Sequence, residues 1–466
     1  DKRAVIAAIS GLDAGGSTAG GAGLQLAYDQ ARKNFREGQV NRILLATDGD
    51  FNVGVANTEA LINMVERERE AGISLTALGF GTGNFNEAMM EQIADHGNGN
   101  YFYIDGPAEA AKVLDQRARA LGAKDHILVE AKQDYFEQVI KYLIMGNVKR
   151  GQMYPLCVGA ERVMQAQTIA EYAKKLGTKV IAHGCTAAGN DQVRFEVALR
   201  TLAPELTILA PVRDQAFKRP DQLKYLQDRN LTIPPYGAAY SVNRGLWGVT
   251  IGGKETLTSE GSIPDHAWVL SKDAFSNPQA PETHTIGFEK GIPSSLDGVK
   301  LDPVSVIEKV EQIGAKFGVG RGIHLGDTII GTKGRVAFEA PAAEVLISAH
   351  RELEKLVMTG RQQRVKEMLS GPYGDLVHEG QHLDPVCRDM EALFVNSQAR
   401  VTGEVKVQYR PGSAFVAGVT SPFSIMAASK GVYGEAAGEW SPADALGFSK
   451  MVGLPGMFWA RAGHGK

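Results

Sequence analysis

The segment Ala182 to Glu196, which reads AHGCTAAGNDQVRFE, limits the possible folds of this chain more than any other stretch. A short run, KVI at 179–181, precedes it, and Val193, Val197 and Leu199 follow in the amphipathic positions of a helix. The pattern therefore predicts a strand, a turn of small residues and a helix. In α/β proteins such a turn lies at the carboxyl end of a strand, where the unpaired N–H groups of the helix attract anionic ligands.

Asn190 and Asp191 stand at the predicted start of this helix. Side chains of this type commonly accept hydrogen bonds from the first turn, so the pair on its own favours a simple capping role. Ligand binding is the alternative, because the pair also borders the predicted turn. The rest of the segment is needed to decide between capping and ligand binding.

With its neighbours, the pair forms the string HGCTAAGNDQVRF, which resembles the signature HG(A/C)TxxGNDQVRF of the argininosuccinate synthase family. Ala188 is a departure, because many members carry Lys there. The resemblance extends from about residue 118 to the C-terminus and includes GDTIIGTKGRV. That family condenses citrulline with aspartate in arginine biosynthesis, using ATP with Mg²⁺ and releasing AMP and pyrophosphate. The resemblance therefore implies a cytoplasmic ligase with these substrates.

The resemblance also implies which positions contact the ligands. Asp191 would hold the ammonium group of aspartate and Arg162 would lie near its carboxylates, while Asn190 and Arg194 would contact citrulline. The complete implied substrate set is Tyr154, Arg162, Thr186, Asn190, Asp191, Arg194, Ser241 and Thr250. The implied adenylate set is His183, Gly184, Cys185 and Gly189, in a turn whose small residues let the backbone approach a ligand.

Catalysis of this kind depends on positioning and charge stabilisation rather than on a tuned acid–base pair. The sequence has no paired-carboxylate or Ser/His/Asp arrangement, so no catalytic residue is assigned. Three positions depart from the common family pattern, since Gly159 replaces Ser, Gly326 replaces a citrulline-binding Glu and Phe338 replaces Tyr. Asp327, one residue further along, is placed to take over the carboxylate role. The later stretch YGDLVHEGQHLDPVCRD is predicted to serve packing or an interface.

Residues 1 to about 115 alternate helix and strand patterns, which is typical of a parallel sheet covered by helices. The strings GGSTAGGAGLQLAY and LLATDGDFNVGV resemble the von Willebrand factor A domain, a three-layer α/β fold. That family holds a divalent cation, usually Mg²⁺, with a DxSxS loop, a Thr and an Asp. Thr18 and Asp48 match the last two, whereas the DxSxS loop is absent. Either these two residues bind a metal, or Asp48 caps a loop in a metal-free remnant.

The A-domain part occupies the place of the first strand and pyrophosphate loop of the synthase family. A superficially similar string, SGLDAGGS at 10–17, belongs by its surroundings to the A-domain pattern. Backbone N–H groups at a helix N-terminus provide most of the grip on a triphosphate, so we expect weak ATP binding. The alternatives to an active ligase are a non-catalytic fusion that serves as a binding module and a joined sequence without a native function.

The predicted domain order follows these resemblances. It is 1–116, a truncated von Willebrand A-like α/β domain; 117–235, a synthase nucleotide-domain portion; 236–440, an α+β synthetase and multimerisation domain; and 441–466, a C-terminal helical arm. In the synthase family such an arm reaches a neighbouring subunit, which implies a homotetramer. The first junction falls inside one helix pattern, which indicates recombination within α/β elements or an artefact of sequence assembly. Residue 1 is Asp rather than Met, so we expect a fragment, a processed product or a joined gene.

Charge and cysteine content exclude several classes of function. Fifty Lys and Arg against fifty-three Asp and Glu give a net charge of −3, so no basic excess indicates nucleic-acid binding. No apolar run approaches the roughly 18 residues of a membrane span, and the start lacks a charged-then-apolar leader. Cys157, Cys185 and Cys387 are far apart, which indicates neither a disulfide framework nor a zinc site and favours a reducing cytoplasm.

Overall fold

The computed structural model describes residues 20–35, 41–47, 58–79, 101–103, 115, 118–119, 122–229, 240–272 and 274–463. The chain divides into two compact units, Asp1–Glu130 and Ala131–Lys466. Thr18 and Asp48, the predicted metal-binding residues of the first unit, lie outside the described residues.

The first unit contains a three-stranded parallel sheet, with one described helix before its first strand and one between its first two strands. Its elements are α1 Gly20–Lys33, β1 Asn41–Thr47, α2 Thr58–Glu70, β2 Ile73–Gly79 and β3 Tyr101–Tyr103. The strand order is β1-β2-β3, and both pairings are parallel. Leu24, Tyr28 and Val65 on the helices are almost fully buried, as is Leu75 on β2. The parallel sheet predicted from the alternating pattern is confirmed.

The second unit begins with a helical segment and the predicted strand, turn and helix. The elements of this part are α3 Lys132–Tyr135, a π-helical turn Phe136–Ile140, α4 Lys141–Met145, α5 Glu161–Leu176, β4 Val180–Ala182, α6 Asn190–Leu202, β5 Thr207–Leu209, α7 Pro211–Asp214 and α8 Arg219–Gln227. β4 and β5 pair in parallel. α5 and α6 share a buried apolar cluster that includes Ala166, Ala170 and Ala198, whose small side chains allow close approach of the helices.

Residues 127–130 do not form the strand that their apolar sequence predicts. They lack regular secondary structure, and Ile127, Leu128 and Val129 are 43%, 54% and 48% exposed. A strand needs a hydrogen-bonded neighbour to satisfy its backbone groups, and none of the described strands pairs with this run. The prediction is wrong because a local pattern carries no information about the availability of that neighbour.

Two antiparallel sheets and several helices make up the rest of the second unit. The elements are β6 Ser241–Gly245, β7 Gly248–Gly252, β8 Glu282–Glu289, β9 Ile292–Leu296, β10 Val299–Lys300, α9 Pro303–Lys316, β11 Arg321–Asp327, β12 Lys333–Glu339, α10 Pro341–Val357, α11 Gly360–His378, α12 Pro385–Ser397, β13 Gly403–Arg410, β14 Ser413–Thr420, α13 Ile425–Ala428 and α14 Pro442–Gly463. One sheet has the order β11-β12-β7-β6, and the other has the order β10-β9-β8-β13-β14.

Helix α10 lies at the centre of the core and follows β12 after a single residue. Pro341 occupies its first turn, where a missing N–H costs nothing. Leu346 and Leu353 are fully buried and Ile347 is nearly so, and burial of each such side chain contributes about 1.5–3 kcal/mol. Because the helix packs on α9, β13 and β14, it fixes the four-stranded sheet relative to the core.

The C-terminal helix α14 is longer than predicted. The sequence predicts that it ends near Met451, because Gly453, Pro455 and Gly456 follow, yet the helix continues through Pro455 to Gly463. A proline inside a helix removes one backbone hydrogen bond, and the remaining turns of this helix are kept despite that loss. Among the described residues, no helix is long and apolar enough to cross a membrane.

Candidate substrate site

A cavity of about 500 Å³ lies in the second unit, where the turn after β4 enters α6. Its walls come from 150–162, the turn and helix at 184–194, strands β6, β7, β11 and β12, and the end of α11. Cavities of this size hold ligands the size of amino acids and nucleotides. The position at the carboxyl end of a parallel strand is the one that the sequence predicts.

All eight residues of the predicted substrate set line this cavity. They are Tyr154, Arg162, Thr186, Asn190, Asp191, Arg194, Ser241 and Thr250. Gly184, Cys185 and Gly189 of the predicted adenylate set line it as well. The residues come from α5, α6, β6 and β7 and from the turns before the two helices, so only the tertiary fold brings them together.

Asn190 and Asp191 do not cap helix α6. The N-cap residue is Gly189, with φ −87° and ψ 151°, and no side chain accepts a hydrogen bond from the first turn. The Oδ1 atom of Asn190 instead accepts a hydrogen bond from the backbone N–H of Ile329, at 3.0 Å. The capping role that the pair alone favours is therefore wrong, and the first N–H groups of the helix are left for a ligand or solvent.

The carboxylate of Asp191 lies between two arginines. It accepts a hydrogen bond from Nε of Arg162 at 2.9 Å and another from Nη1 of Arg194 at 2.7 Å. Arg162 is fixed in turn by Gln165 and Asn243. Burial raises the pKa of Asp191, but the two guanidinium groups outweigh that effect and hold the pKa below its ordinary value. Asp191 is therefore a negative charge at neutral pH.

Arg194 is held by the C-terminal end of α11. Its Nε donates to the backbone oxygen of His378 at 2.7 Å, and its Nη2 lies 3.2 Å from Nδ1 of the same residue. An arginine can only donate hydrogen bonds, so Nδ1 of His378 is the acceptor and the imidazole proton lies on Nε2. Burial and the neighbouring cations lower the pKa of His378 to about 3, which keeps the ring neutral.

Two aromatic rings, those of Tyr154 and His324, form another wall of the cavity. Tyr154 stacks on His324 with ring centroids 5.5 Å apart and an interplanar angle of 18°. Phe338 packs on the same Tyr154 ring at 5.3 Å. Burial, followed by the charge of Arg150, lowers the pKa of His324. The cavity therefore presents a neutral imidazole and a phenol on this side.

His183 lies beside the turn but does not line the cavity. Its ring stacks on Phe195 of α6, with centroids 5.8 Å apart, and its Nδ1 accepts a hydrogen bond from the backbone N–H of Cys185 at 3.3 Å. These contacts hold the shape of the turn. A contact between His183 and an adenylate, as the resemblance implies, stays a prediction.

The departures from the family pattern have visible consequences. A Cβ atom at Gly159 would lie 3.0 Å from Nη2 of Arg194, so a larger residue there would require that guanidinium to shift. Phe338 is buried and has no polar atom to offer. Asp327 lines the cavity, but its carboxylate is 61% exposed and forms an ion pair with Lys333 at 2.5 Å. The substitute carboxylate role expected for Asp327 stays a prediction.

Further polar residues line the cavity without having been assigned to it from the sequence. Among them are Arg150, Asn243, His324 and His378. Arg150 precedes the Tyr154 turn, and His324 alternates with Gly326 on one face of β11. His378 lies in a stretch that the sequence assigns to packing or an interface. Only a period-two pattern on β11 could have indicated His324, and no local pattern indicates the others.

No group of three or more His, Cys, Asp or Glu side chains among the described residues could hold a metal ion. Within the cavity, the two carboxylates are already paired with cations, Asp191 with two arginines and Asp327 with Lys333. The described residues therefore do not fit a protein-held Mg²⁺ site in this cavity.

The fold and the cavity together define an α/β protein with a polar cavity at the N-terminus of a helix. Residues 88–232 match the arginosuccinate synthase N-terminal HUP domain, and residues 240–459 match the arginosuccinate synthase C-terminal domain. This chain belongs to the argininosuccinate synthase family, whose members are ATP-using ligases of arginine biosynthesis that act on citrulline and aspartate.

Individual argininosuccinate synthases are similar in sequence to this chain over most of their length. An argininosuccinate synthase from Methanocaldococcus jannaschii is 36% identical over 69% of this chain and 81% of its own length. One from Synechocystis sp. is 34% identical over 81% of this chain and 92% of its own length. Residues 1–116 match the von Willebrand factor type A domain. The synthase match begins at residue 88, earlier than the predicted 118, so the two matches overlap over 88–116.

The neutral state of His378 gives a prediction about acid stability. The pKa is about 3 in the folded chain, against 6.5 for an unperturbed histidine, so between these values the unfolded chain binds a proton that the native chain does not. Stability contributed by this group is therefore present above pH 6.5 and is lost as the pH falls, by about 1.4 kcal/mol per pH unit.

His378→Asn should remove this loss, because an amide oxygen can replace Nδ1 as the acceptor for Arg194. Urea unfolding of wild type and variant at several values between pH 6.5 and pH 4.5 checks the prediction. As the pH falls, the free energy of unfolding should decrease less steeply for the variant. The difference in slope should correspond to about one proton taken up on unfolding. Equal slopes would show that His378 does not resist protonation in the native chain.

Proposed function

We propose that this chain binds aspartate and citrulline side by side in the cavity and joins them with ATP, as an argininosuccinate synthase. The observation that carries the proposal is that all eight residues implied as substrate contacts by the family resemblance line one cavity. A chance gathering from four secondary-structure elements would not include the whole set. The same cavity has the charge pattern for two amino acids, with two carboxylates, four arginines and two strand hydroxyl residues.

Aspartate is proposed to bind next to the start of α6. Asp191 stays charged because Arg162 and Arg194 lower its pKa, so it can hold the ammonium group of the substrate. The uncapped N–H groups of α6 and the side chain of Thr186 can receive a carboxylate. In this arrangement the substrate amine is held by a charged group, while the arginines keep that group in position.

Citrulline is proposed to lie between Tyr154 and the two strands β6 and β7. Ser241 and Thr250 project hydroxyl groups into the cavity from adjacent strands, where Asn243 and Thr250 are directly paired. In the proposed reaction the ureido oxygen would attack the α-phosphate of ATP and displace pyrophosphate. The aspartate amine would then attack the ureido carbon and displace AMP. The turn at Gly184, Cys185 and Gly189 is the proposed adenylate contact, since a Cβ atom at Gly184 would meet open space.

Mg²⁺ is proposed to enter with the phosphates of ATP rather than through protein carboxylates, since both cavity carboxylates are paired. Calorimetric titration tests the substrate assignment directly. Aspartate and citrulline should each bind to the full chain, and Thr250→Val should weaken citrulline by about tenfold without changing aspartate, because one hydroxyl hydrogen bond is lost. Equal weakening of both ligands would contradict separate subsites.

A second candidate function concerns residues 1–116, which match the von Willebrand factor type A domain. We propose that they form a three-layer α/β domain in which Thr18 and Asp48 contact Mg²⁺, so that this part serves as a binding module beside the ligase. Titration of the full chain with Mg²⁺ alone, for wild type and Asp48→Ala, tests it. Identical heats for the two proteins would contradict a metal role for Asp48.

We also propose that helix α14 is an arm that binds a neighbouring subunit in a homotetramer. The helix has no buried residue, even though it carries large apolar side chains. Phe448, Met451 and Trp459 are 71%, 67% and 82% exposed. Apolar side chains exposed along one helix usually mark a contact with another chain. Met451→Glu with Trp459→Glu should convert the tetramer to smaller species in analytical ultracentrifugation, while Lys450→Glu on the same helix should not. An unchanged mass for the double variant would contradict the arm.

A further inference from the structure

Two buried imidazole nitrogens at the cavity, the Nε2 atoms of His324 and His378, form no hydrogen bond with any residue that the structure describes. His378 as a whole is only 6% exposed. A buried polar atom without a hydrogen bond is unfavourable, so such atoms are rare outside places where a ligand completes them. Both residues line the cavity proposed for citrulline.

His378 is fixed as a donor toward that partner. Because Arg194 donates to its Nδ1, the proton lies on Nε2, and the low pKa of about 3 keeps the ring in this neutral form. The partner of Nε2–H must therefore be an acceptor. An oxygen of the ligand satisfies this requirement, whereas an ammonium group does not.

Arg150 adds a positive charge to the same wall. Its Nε and Nη2 are held by Asp375 and by the backbone oxygen of Asp327, while Nη1 has no acceptor among the described residues. A Cβ atom at Gly326 would lie 2.6 Å from Nε2 of His324 and 3.4 Å from Nη1 of Arg150. The two nitrogens thus border one small space, which any side chain at residue 326 would obstruct.

The charges around the cavity favour an anion at this wall. Four arginines and two aspartates line the cavity. Asp191 already serves two arginines and lies at the start of α6, and Asp327 is paired with Lys333. The wall therefore offers the Nε2–H group of His378 and the guanidinium of Arg150, whose partner Asp375 is largely exposed to solvent, but no unpaired carboxylate for an ammonium group.

We propose that Arg150, His324 and His378 form an oxyanion subsite that holds the carboxylate of the ureido substrate, so that the site accepts a ureido acid whether or not its amino group is free. This inference rests on the proposed function, because it takes the cavity to be the substrate site. The ligands of this subsite are acids with a ureido group, including acids whose amino group is acylated.

The test is calorimetric titration of the full chain with citrulline, N-acetylcitrulline and N-carbamoylputrescine, which has an ammonium group and no carboxylate. N-acetylcitrulline should bind within about threefold of citrulline, and N-carbamoylputrescine should bind at least about thirtyfold more weakly, since it offers no oxyanion. His324→Phe keeps the ring stacked on Tyr154 and removes the nitrogens. It should weaken both acids by about tenfold and leave aspartate unchanged. His266→Phe, at an exposed position outside the cavity, is the matched control.

Three results would overturn the inference. The first is strong binding of N-carbamoylputrescine together with loss of N-acetylcitrulline, which would show that the wall recognises the ammonium group. The second is an effect of His324→Phe on inorganic pyrophosphate or ATP rather than on the two acids, which would assign the oxyanion to a phosphate. In both cases citrulline still binds and the proposed function stands. The third is no binding of any ureido compound with aspartate binding unaffected by Asp191→Ala, in which case the proposed function fails as well.

Discussion

Replacing Asp191 with Asn is expected to lower the affinity for aspartate by about 100-fold, because a charge-assisted hydrogen bond to the substrate ammonium is lost inside a partly buried site. The amide has the size of the carboxylate, so the cavity should keep its shape. It lacks the charge that now balances Arg162 and Arg194. With two guanidinium groups left uncompensated, the cavity becomes more positive and repels a substrate ammonium group.

Calorimetric titration of aspartate into wild type and variant measures this effect. The control is Glu196→Gln, which removes a carboxylate from the same helix where it pairs with Arg200 and Arg213 outside the cavity. The control should retain the affinity of wild type. An Asp191→Asn variant that binds aspartate as tightly as wild type would remove this residue from the substrate site.

The second large effect concerns stability. Lys366→Met is expected to lower the free energy of unfolding by about 3–5 kcal/mol, because it leaves the buried carboxylate of Glu354 without its cation. Lys366 and Glu354 are 1% and 2% exposed, and their charged atoms lie 2.7 Å apart. The lysine also donates to the backbone oxygen of Met145 at 2.6 Å, so it joins α11 to α10 and to the end of α4.

The rest of this buried network explains the size of the effect. Glu354 also accepts hydrogen bonds from Asn147 at 2.7 Å and from Gln398 at 2.9 Å, and both of these contact His350. Buried hydrogen-bonded networks of this kind are strongly destabilised when one member is removed. Urea unfolding measures the loss. The control is Lys355→Met, since Lys355 is exposed and pairs with Glu352 on the surface.

Lys355→Met should change the free energy of unfolding by less than about 1 kcal/mol, as for most surface ion pairs. The double variant Glu354→Leu with Lys366→Met should recover part of the loss, because it removes both charges together. Should Lys366→Met cost no more than Lys355→Met, the network would have no role in holding these helices together.

The sequence predicts the elements of the site better than their side-chain contacts. The strand, turn and helix around 180–202 follow from apolar spacing and from small residues, and the structure contains all three. The start of α6 is one residue from the expected position, and this shift turns Asn190 and Asp191 from caps into cavity residues. Local propensity favours a cap at such positions, but the arginines that hold Asp191 come from a distant helix as well as its own.

Other features of the site depend on tertiary structure alone. Nothing local marks His378, which ends a 19-residue helix, as a neighbour of Arg194 some 180 positions earlier. The same is true of Arg150 and His324, which the turn before α5 and strand β11 bring together. The longer α14 and the unpaired run at 127–130 show the opposite error, in which local signals predict a break or a strand that the surroundings do not support.

Release of pyrophosphate by the full chain tests the proposed activity most directly. Purified protein is given ATP and Mg²⁺ with citrulline and aspartate, and then with each amino acid omitted in turn. The account predicts pyrophosphate together with argininosuccinate when both amino acids are present, and neither product from Asp191→Asn. Protein that binds aspartate and citrulline yet releases no pyrophosphate would contradict the ligase and would leave a substrate-binding module in its place.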